Sequence, residues 1–215
     1  MREPDRFRTA VHAWAAGGAD AAAAATVARE LAGGLRVVVL VEGFSDQCAV
    51  ETLAERRDLD LAGEGVCVVP IGGAMGVARY LRLFGAHGLA LTVRGLCDEA
   101  EEGFFRRGLE QAGFGTDLTR STMRALGFHV CVTDLEDELI RALGSSGVER
   151  VIAAERDLAR FRIFQNQPAQ RGRPIERQLR RFMGTMSGRK ARYARALVRA
   201  LDPSGIPQPL DRLLT

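Results

Sequence analysis

Short apolar runs alternate with amphipathic segments through the middle of the chain. The runs are Val37 to Val41, Val66 to Ile71, Leu89 to Leu96 and Phe128 to Val132. The first is too short and too β-branched for a helix, and we expect all of them to be β-strands. The segments between them carry apolar residues at helical spacing, as in residues 49–54. This alternation predicts an α/β fold with a parallel sheet flanked by helices.

Both ends of the chain have a helical pattern without strands. Towards the C-terminus the predicted helices are residues 147–164, 174–183 and 189–201, with a final turn near 208–214. Residues 113–127 are expected to be a connection. We therefore predict three parts, an N-terminal helical segment (1–35), an α/β domain (36–146) and a basic helical C-terminal subdomain (147–215).

The length and composition predict a soluble protein that buries a hydrophobic core. The sequence contains neither an apolar run of membrane-spanning length nor a signal-peptide pattern, so we expect a cytoplasmic protein with no membrane contact. Its cysteines are Cys48, Cys67, Cys97 and Cys131, which form no CxxC pair. We expect buried free thiols rather than disulfides or a zinc site.

The charges are unevenly distributed. The net charge is +3, but residues 151–215 contain 14 Lys and Arg against 5 Asp and Glu, which leaves 16 against 22 in residues 1–150. A basic segment beside an acidic one suits a polyanion held near a carboxylate cluster. The alternative is a solvated, arginine-rich helical surface. We favour nucleic-acid contact because the basic residues are concentrated in one segment.

Acidic residues follow three of the predicted strands. Glu42 and Asp46 follow the first strand, residues 98–102 (DEAEE) follow the third, and Glu136 begins the helix after the fourth. Neighbouring parallel strands would bring these acids to one edge of the sheet. Clustered carboxylates repel unless a divalent cation holds them, and oxygen ligands favour Mg²⁺ or Mn²⁺ over zinc. The alternative is ordinary helix-start carboxylates, and Ser45 is the expected N-cap after the first strand.

Two other stretches allow two interpretations each. Gly72 and Gly73 follow the second strand in a GGAMG turn that matches no nucleotide-binding motif. They form either a tight turn or a place where a phosphate backbone approaches the main chain. Phe161 and Phe164 lie among arginines, and they form either a buried helix face or a surface on which bases stack.

Lys190 is the only lysine among the 30 basic residues. An ammonium group is a compact charge whose proton can be transferred, whereas a guanidinium group stays protonated. Lys190 is therefore a candidate for stabilising a transition-state phosphate, with chance placement on a solvated face as the alternative. The arginine candidates for nucleic-acid contact are Arg171, Arg173, Arg189 and Arg192.

A set of motifs occurs in an informative order along residues 36–215. They are VVVLVEGFSD, VVPIGGAMGVARYLRLF, LCDEAEE, VTDLEDELI and a lysine followed by YARALVRAL. In this order they resemble the TOPRIM module of OLD-family (overcoming lysogenization defect) nucleases. The TOPRIM fold is shared by topoisomerases, primases and several nucleases. The resemblance implies a Rossmann-like parallel sheet with an all-helical C-terminal extension, a Mg²⁺ or Mn²⁺ cofactor, and DNA, or alternatively RNA, as the substrate.

The resemblance also implies roles for individual residues. Glu42 would be the metal ligand of the first strand and a candidate general acid or base, assisted by Asp46. Asp98 matches the first aspartate of a DxD motif, and Glu136 matches the glutamate of the later strand-helix junction. Lys190 matches the lysine that faces the scissile phosphate.

Two features depart from the family pattern. Ala100 occupies the second DxD position, so either Glu99 or Glu101 substitutes for it or one of two metal sites is weakened. The family's N-terminal ATPase is missing from the sequence, which implies a separate ATPase partner. The leading hypothesis is a metal-dependent DNA endonuclease. The alternatives are a catalytically weakened nucleic-acid-binding subunit and a nucleotidyl transferase.

Overall fold

A parallel β-sheet forms the centre of the molecule. The computed structural model describes residues 3–185 and 188–214. The strands are β1 (Val37–Val41), β2 (Val66–Pro70), β3 (Thr92–Asp98) and β4 (Phe128–Cys131). Their order is β2-β1-β3-β4, and all neighbouring pairs are parallel. The predicted α/β fold is confirmed. Positions 1, 2, 186, 187 and 215, which belong to the predicted end segments, lie outside the described residues.

Helices cover both faces of this sheet. They are α1 (Glu3–Ala16), α2 (Ala21–Leu31), α3 (Phe44–Arg56), α4 (Val77–Phe84), α5 (Glu102–Gln111), α6 (Arg120–Ala125), α7 (Leu135–Ala154), α8 (Leu158–Gln165), α9 (Ile175–Met183), α10 (Arg189–Ala200) and α11 (Gln208–Asp211). Within the described ranges, no helix combines the length and the apolarity needed to cross a membrane.

Two predicted segments differ from the structure. Residues 113–127 contain α6, because the Thr119 side chain accepts a hydrogen bond from the Thr122 amide and starts a helix inside the expected connection. The predicted helix 147–164 is divided between α7 and α8. Helix α7 begins well before it and is bent at Gly144, whose φ of 67° is not helical.

Strand β3 lies further along the chain than expected. Its range is Thr92–Asp98 rather than Leu89–Leu96, because Ala90 has a φ of 52° and belongs to the preceding turn. As a consequence Asp98 is the last strand residue, in register with Cys131 of β4. The carboxylate therefore lies on the sheet edge itself.

A hydrophobic core lies on each face of the sheet. Alternation along β1 sends Val39 and Val41 to one face and Val38 and Leu40 to the other. Helices α3, α7, α8, α9 and α10 contribute side chains to the first core, and α1, α4 and α5 contribute to the second. Burial on both faces explains why β1 is apolar throughout. The cysteines are buried and free, as predicted.

The C-terminal helices share the first of these cores. Leu197 and Val198 of α10 belong to the same buried cluster as the β1 side chains. Arg56 at the end of α3 donates hydrogen bonds to the carbonyl oxygens of Val198 and Leu201. A separate subdomain at 147–215 stays a prediction, and its helices α8, α9 and α10 pack on α3, on α7 and on one another.

Phe161 and Phe164 form a buried helix face. Both side chains are buried, and their ring centroids lie 5.0 and 5.5 Å from that of Phe182. The packing interpretation is therefore confirmed. The alternative, in which these rings stack on bases, is wrong because the rings are not accessible.

Replacing Phe161 with alanine tests the shared core. We expect the free energy of unfolding of the whole chain to fall by about 3–5 kcal/mol in a single transition, because a fully buried ring is lost. Urea denaturation followed by circular dichroism measures this. Ile163, on the same helix, is 68% exposed, and Ile163→Ala should change the free energy by less than about 0.5 kcal/mol. Two separate transitions, with only one shifted by Phe161→Ala, would contradict a shared core.

Candidate metal and nucleic-acid site

Glu42 leaves the carboxyl end of β1 and is fixed there by the turn after β2. The amides of Gly72 and Gly73 donate hydrogen bonds to the Glu42 carbonyl oxygen, with N···O distances of 3.0 and 3.3 Å. The glycine φ angles are 72° and 112°, which residues with side chains rarely adopt. These amides are engaged by Glu42, so the geometry supports the tight turn rather than a phosphate-binding role for the two glycines.

Asp46 closes the first turn of α3. The helix begins at Phe44 with Gly43 as its N-cap residue, and the Asp46 carboxylate accepts a hydrogen bond from the Gly43 amide at 2.9 Å. The prediction of Ser45 as the N-cap is wrong, because the chain already has helical geometry at Phe44. Asp46 is thereby oriented beside the end of β1.

Burial and mutual repulsion raise the pKa of three carboxyl groups at this edge. Burial is the largest cause in each case, and it raises the pKa of Asp46 to about 7 and that of Asp98 to about 8. The pKa of Glu42 is also raised, by burial and then by the charges of Glu101 and Glu136. The carboxylates that follow β1 and β3 and the one that begins α7 therefore affect one another's charge.

Glu136 and Lys190 bring the C-terminal helices to the same edge. Glu136 is buried in the first turn of α7, and Lys190 Nζ of α10 lies 3.1 Å from Glu136 Oε1. Asp134 is the N-cap of α7, and it accepts a hydrogen bond from the Asp137 amide at 2.8 Å. Partial burial opposes the charged form of Lys190, but the neighbouring carboxylates outweigh it and raise the Lys190 pKa.

Glu99 and Glu101 have different neighbours. The Glu99 carboxylate forms an ion pair with Arg120 at 3.1 Å and is about half exposed. The Glu101 charge is the largest electrostatic contribution to the raised pKa of Glu42. Of the two glutamates beside Ala100, Glu101 is therefore the one whose charge acts on Glu42.

The chemistry of these side chains fits a divalent cation. Glu42 Oε2 is buried without a hydrogen-bond partner among the described residues. Leaving such an oxygen unpaired costs about 1–3 kcal/mol, which a cation would relieve together with the repulsion between carboxylates. In residues 3–185 and 188–214, no three Asp, Glu, His or Cys side chains already form a group that could hold an ion. A cation would have to draw the carboxylates together.

A cleft of about 830 Å³ opens beside Lys190. It lies between the beginning of α7 and the exposed side of α9. Arginines line the α9 side, and they are Arg173, Arg177, Arg180 and Arg181. Asp134 and Glu136 lie on the α7 side. The cleft therefore places a cationic surface against the edge that carries the carboxylates.

Arg177, Arg180 and Arg181 are absent from the nucleic-acid contacts predicted from the sequence, although their spacing could have identified them. Arg177, Arg180 and Arg181 recur at the spacing i, i+3 and i+4, which places them on one face of α9. Leu179 and Phe182 on the same helix are buried. The arginine spacing relative to the apolar positions identifies the exposed face.

The four arginines named from the sequence have different environments. Arg173 lines the cleft, and Arg171 is exposed and donates to a backbone carbonyl oxygen of the adjacent loop. Arg192 forms an ion pair with the buried Asp157. The expectation for Arg189 is corrected, because its guanidinium group is buried and lies 3.7 Å from Asp157. Arg189 is committed to the interior and has no free surface for nucleic acid.

Comparison with known proteins supports the same fold. Residues 35–98 match the family model described as "Overcoming lysogenization defect protein-like, TOPRIM domain". The C-terminal region of the Xanthomonas campestris pv. campestris OLD protein is 26% identical, with a TM-score of 0.62 over 84% of this chain and 93% of that one. No curated protein sequence is a significant match.

A second solved structure has the same fold at lower identity. The C-terminal region of the Burkholderia pseudomallei OLD protein is 23% identical, with a TM-score of 0.64 over 84% of this chain and 95% of that one. The predicted resemblance to the TOPRIM module of OLD proteins is therefore confirmed. The match to the family model begins just before β1 and ends at Asp98.

The raised pKa of Asp98 predicts how stability depends on pH in the metal-free protein. An unfolded aspartate has a pKa near 3.9, so the folded chain binds more protons between about pH 4 and pH 8. The free energy of unfolding should therefore fall as pH rises through that window. We expect Asp98→Asn to raise the free energy of unfolding by about 1–3 kcal/mol near pH 8, after allowance for solvent screening. Near pH 4 the substitution should leave the free energy of unfolding nearly unchanged.

Urea unfolding in EDTA at several pH values measures this dependence. Asp20→Asn is the matched control, because Asp20 is exposed and its side chain makes no capping hydrogen bond. A pH dependence that is the same in Asp98→Asn and in the unaltered protein would contradict the crowding of carboxylates at this edge.

Proposed function

We propose that this protein hydrolyses phosphodiester bonds in DNA with the help of Mg²⁺ or Mn²⁺. The observation that supports it is an edge of the sheet at which the charges of Glu42, Asp98 and Glu136 affect one another. Lys190 lies 3.1 Å from Glu136 at this edge, beside an arginine-lined cleft. The OLD-like TOPRIM match supports it, since TOPRIM proteins commonly act on nucleic acids with divalent metals.

The carboxylates would hold the cation. Glu42, Asp98 and Glu136 are its proposed ligands, and Asp46 assists from the first turn of α3. Glu101, rather than Glu99, would provide the carboxylate that Ala100 cannot. A bound Mg²⁺ or Mn²⁺ would supply a Lewis acid that activates water and stabilises negative charge on the phosphate.

The cationic residues would position the substrate. Arg177 and Arg181 on the exposed face of α9 can neutralise phosphates on either side of the reacting one, which binds DNA without regard to its sequence. Arg180 on the same face forms an ion pair with Asp134. Lys190 is held at the edge by Glu136 and would stabilise the extra negative charge that develops at the scissile phosphate. Glu42 retains its proposed role as general acid or base, through whichever carboxylate oxygen does not hold the cation.

A weakened, DNA-binding subunit is the second candidate. Ala100 lies between the two glutamates and provides no ligand, and no ready-made group of three metal ligands occurs among the described residues. Such a subunit would bind DNA in EDTA, and its affinity would depend steeply on salt. It would not cut DNA, whichever metal is added. Under either candidate, an ATPase partner stays part of the proposal. We favour hydrolysis over nucleotidyl transfer because the sequence carries no nucleotide-binding motif.

Nicking of supercoiled plasmid tests the leading proposal. The unaltered protein should nick the plasmid with Mg²⁺ or Mn²⁺ and not in EDTA. Glu42→Gln should slow nicking by at least about 100-fold, because a metal ligand is lost while the volume of the side chain is kept. Glu101→Gln should slow it by about 10-fold or more, whereas the matched variant Glu99→Gln should stay within about 3-fold.

Two results would reject this assignment. One is an absence of cleavage by the unaltered protein with either metal, on DNA and on RNA. The other is a nicking rate that Glu42→Gln leaves unchanged, since that would point to a contaminating nuclease or to another site.

Lys190→Met separates charge stabilisation from metal binding. The nicking rate should fall by about 100-fold because the ammonium group is lost from the reacting phosphate. Binding of Mn²⁺, measured by isothermal titration calorimetry, should become equal or tighter, because a positive charge beside Glu136 is removed. Lys190→Arg should restore the charge but only part of the rate. A loss of Mn²⁺ binding in Lys190→Met would assign Lys190 a structural role instead.

A further inference from the structure

Exposed apolar side chains are concentrated at the edge that carries the carboxylates. Within the described ranges the large exposed hydrophobic residues are Val27, Phe44, Met75, Phe104, Val132 and Ile163. Four of these six follow a strand end: Phe44 follows β1, Met75 follows β2, Phe104 lies in the helix after β3, and Val132 follows β4. Scattered exposed apolar residues are normal, but a group at one functional edge indicates a contact surface.

Phe44 is the exposed apolar residue that lies nearest to Glu42 in the sequence. It lies two positions after Glu42 and is 58% exposed, although it begins helix α3. The guanidinium carbon of Arg195 lies 5.6 Å from the ring centroid, over the face of the ring. The arginine holds the ring by a cation–π contact and adds positive charge beside it.

Met75 extends the apolar surface from the neighbouring strand. It is 84% exposed and lies two positions after Gly73. The Gly73 amide donates to the Glu42 carbonyl oxygen at 3.3 Å, so the turn that carries Met75 is attached to the chain that carries Phe44. A flexible thioether makes favourable contacts with aromatic rings, including nucleobases.

We propose that Phe44 stacks on an unpaired base of DNA next to the reacting phosphate, with Met75 against the adjacent base. The preferred substrate is then DNA that is single-stranded or locally open at the site of cleavage. This inference rests on the proposed function, because it names the substrate class for the same carboxylate edge. It assigns base stacking to Phe44 and not to the buried Phe161 and Phe164.

The charge and chemistry around Phe44 and Met75 favour single-stranded DNA as the partner over an apolar protein surface. Arg195 lies over the Phe44 ring, and Lys190 and the α9 arginines lie at the same edge. A polyanion with flat apolar groups matches a surface of aromatic and cationic side chains, which is how single strands are bound without sequence preference. A stacked, paired base has no free face, so duplex DNA would make only the phosphate contacts.

Binding in EDTA tests the inference without cleavage. The probe is a single strand of about 15 nucleotides that carries 2-aminopurine, whose fluorescence changes when its stacking partner changes. Phe44→Ala should weaken binding by about 5- to 100-fold and remove the fluorescence change. Phe44→Trp should keep both, and Phe44→Leu, which keeps an apolar side chain without a ring, should lose the fluorescence change. Ile163→Ala, an exposed apolar control on α8, should match the unaltered protein.

Salt dependence distinguishes base contacts from phosphate contacts. Phe44→Ala should leave the slope of log affinity against log salt unchanged, because no phosphate contact is lost. Arg177→Ala should reduce that slope by about 0.7 for a single strand. Binding of a fully paired duplex of the same sequence should be unaffected by Phe44→Ala. A Phe44→Ala protein that binds the single strand with unchanged affinity and an unchanged fluorescence change would overturn the inference.

Two further results separate this inference from the proposed function. If no metal supports cleavage but Phe44→Ala loses single-strand binding, the nuclease proposal fails and base stacking stands. If the protein cuts an open duplex no faster than a paired one and Phe44→Ala binds normally, base stacking fails and the nuclease proposal stands. Sedimentation would reveal a self-association that depends on Phe44. That result, with unchanged DNA binding, would also overturn the inference.

Discussion

Repulsion between carboxylates at the carboxyl edge of β1 and β3 is the constraint around which the rest of the structure is arranged. The two strands are neighbours, so Glu42 and Asp98 are brought to one edge by the backbone pairing itself. Helices α3 and α7 begin at the same edge, and their positive ends partly offset the negative charge of Asp46 and Glu136 in their first turns. Lys190 adds a full positive charge. The residual repulsion is what a divalent cation would neutralise.

The C-terminal helices supply the positive half of the site because they pack on the same core as the sheet. Leu197 and Val198 are buried in that core, where α10 packs on α3 and α7. Lys190 at the beginning of α10 is thereby held at the carboxylate edge. The arginines of the C-terminal helices have two different roles. Arg189 is buried beside Asp157 and joins helices to one another, whereas the arginines on the exposed face of α9 line the cleft. The residue type alone does not distinguish these roles.

Much of the fold and part of the candidate site could be predicted from the sequence. The apolar run of β1 and the acids after three strands were sufficient to predict a parallel sheet with Glu42, Asp98 and Glu136 at one edge, since strand pairing is a property of the backbone. The choice between Glu99 and Glu101 could not be predicted, because it depends on how the turn after Asp98 directs each side chain. The burial of Arg189 could not be predicted, because a run of arginines does not show which one faces the core. The exposure of Phe44 follows from tertiary packing that a local pattern does not contain.

The position of Mn²⁺ in crystals soaked with the ion, located by its anomalous scattering, tests the carboxylate site most directly. We expect a peak at the carboxyl edge of the sheet, coordinated by oxygen atoms of Glu42 and Asp98, with Glu136 as a further ligand. A peak elsewhere, or no peak at a concentration of Mn²⁺ that saturates binding in solution, with these carboxylates still apart, would contradict this expectation.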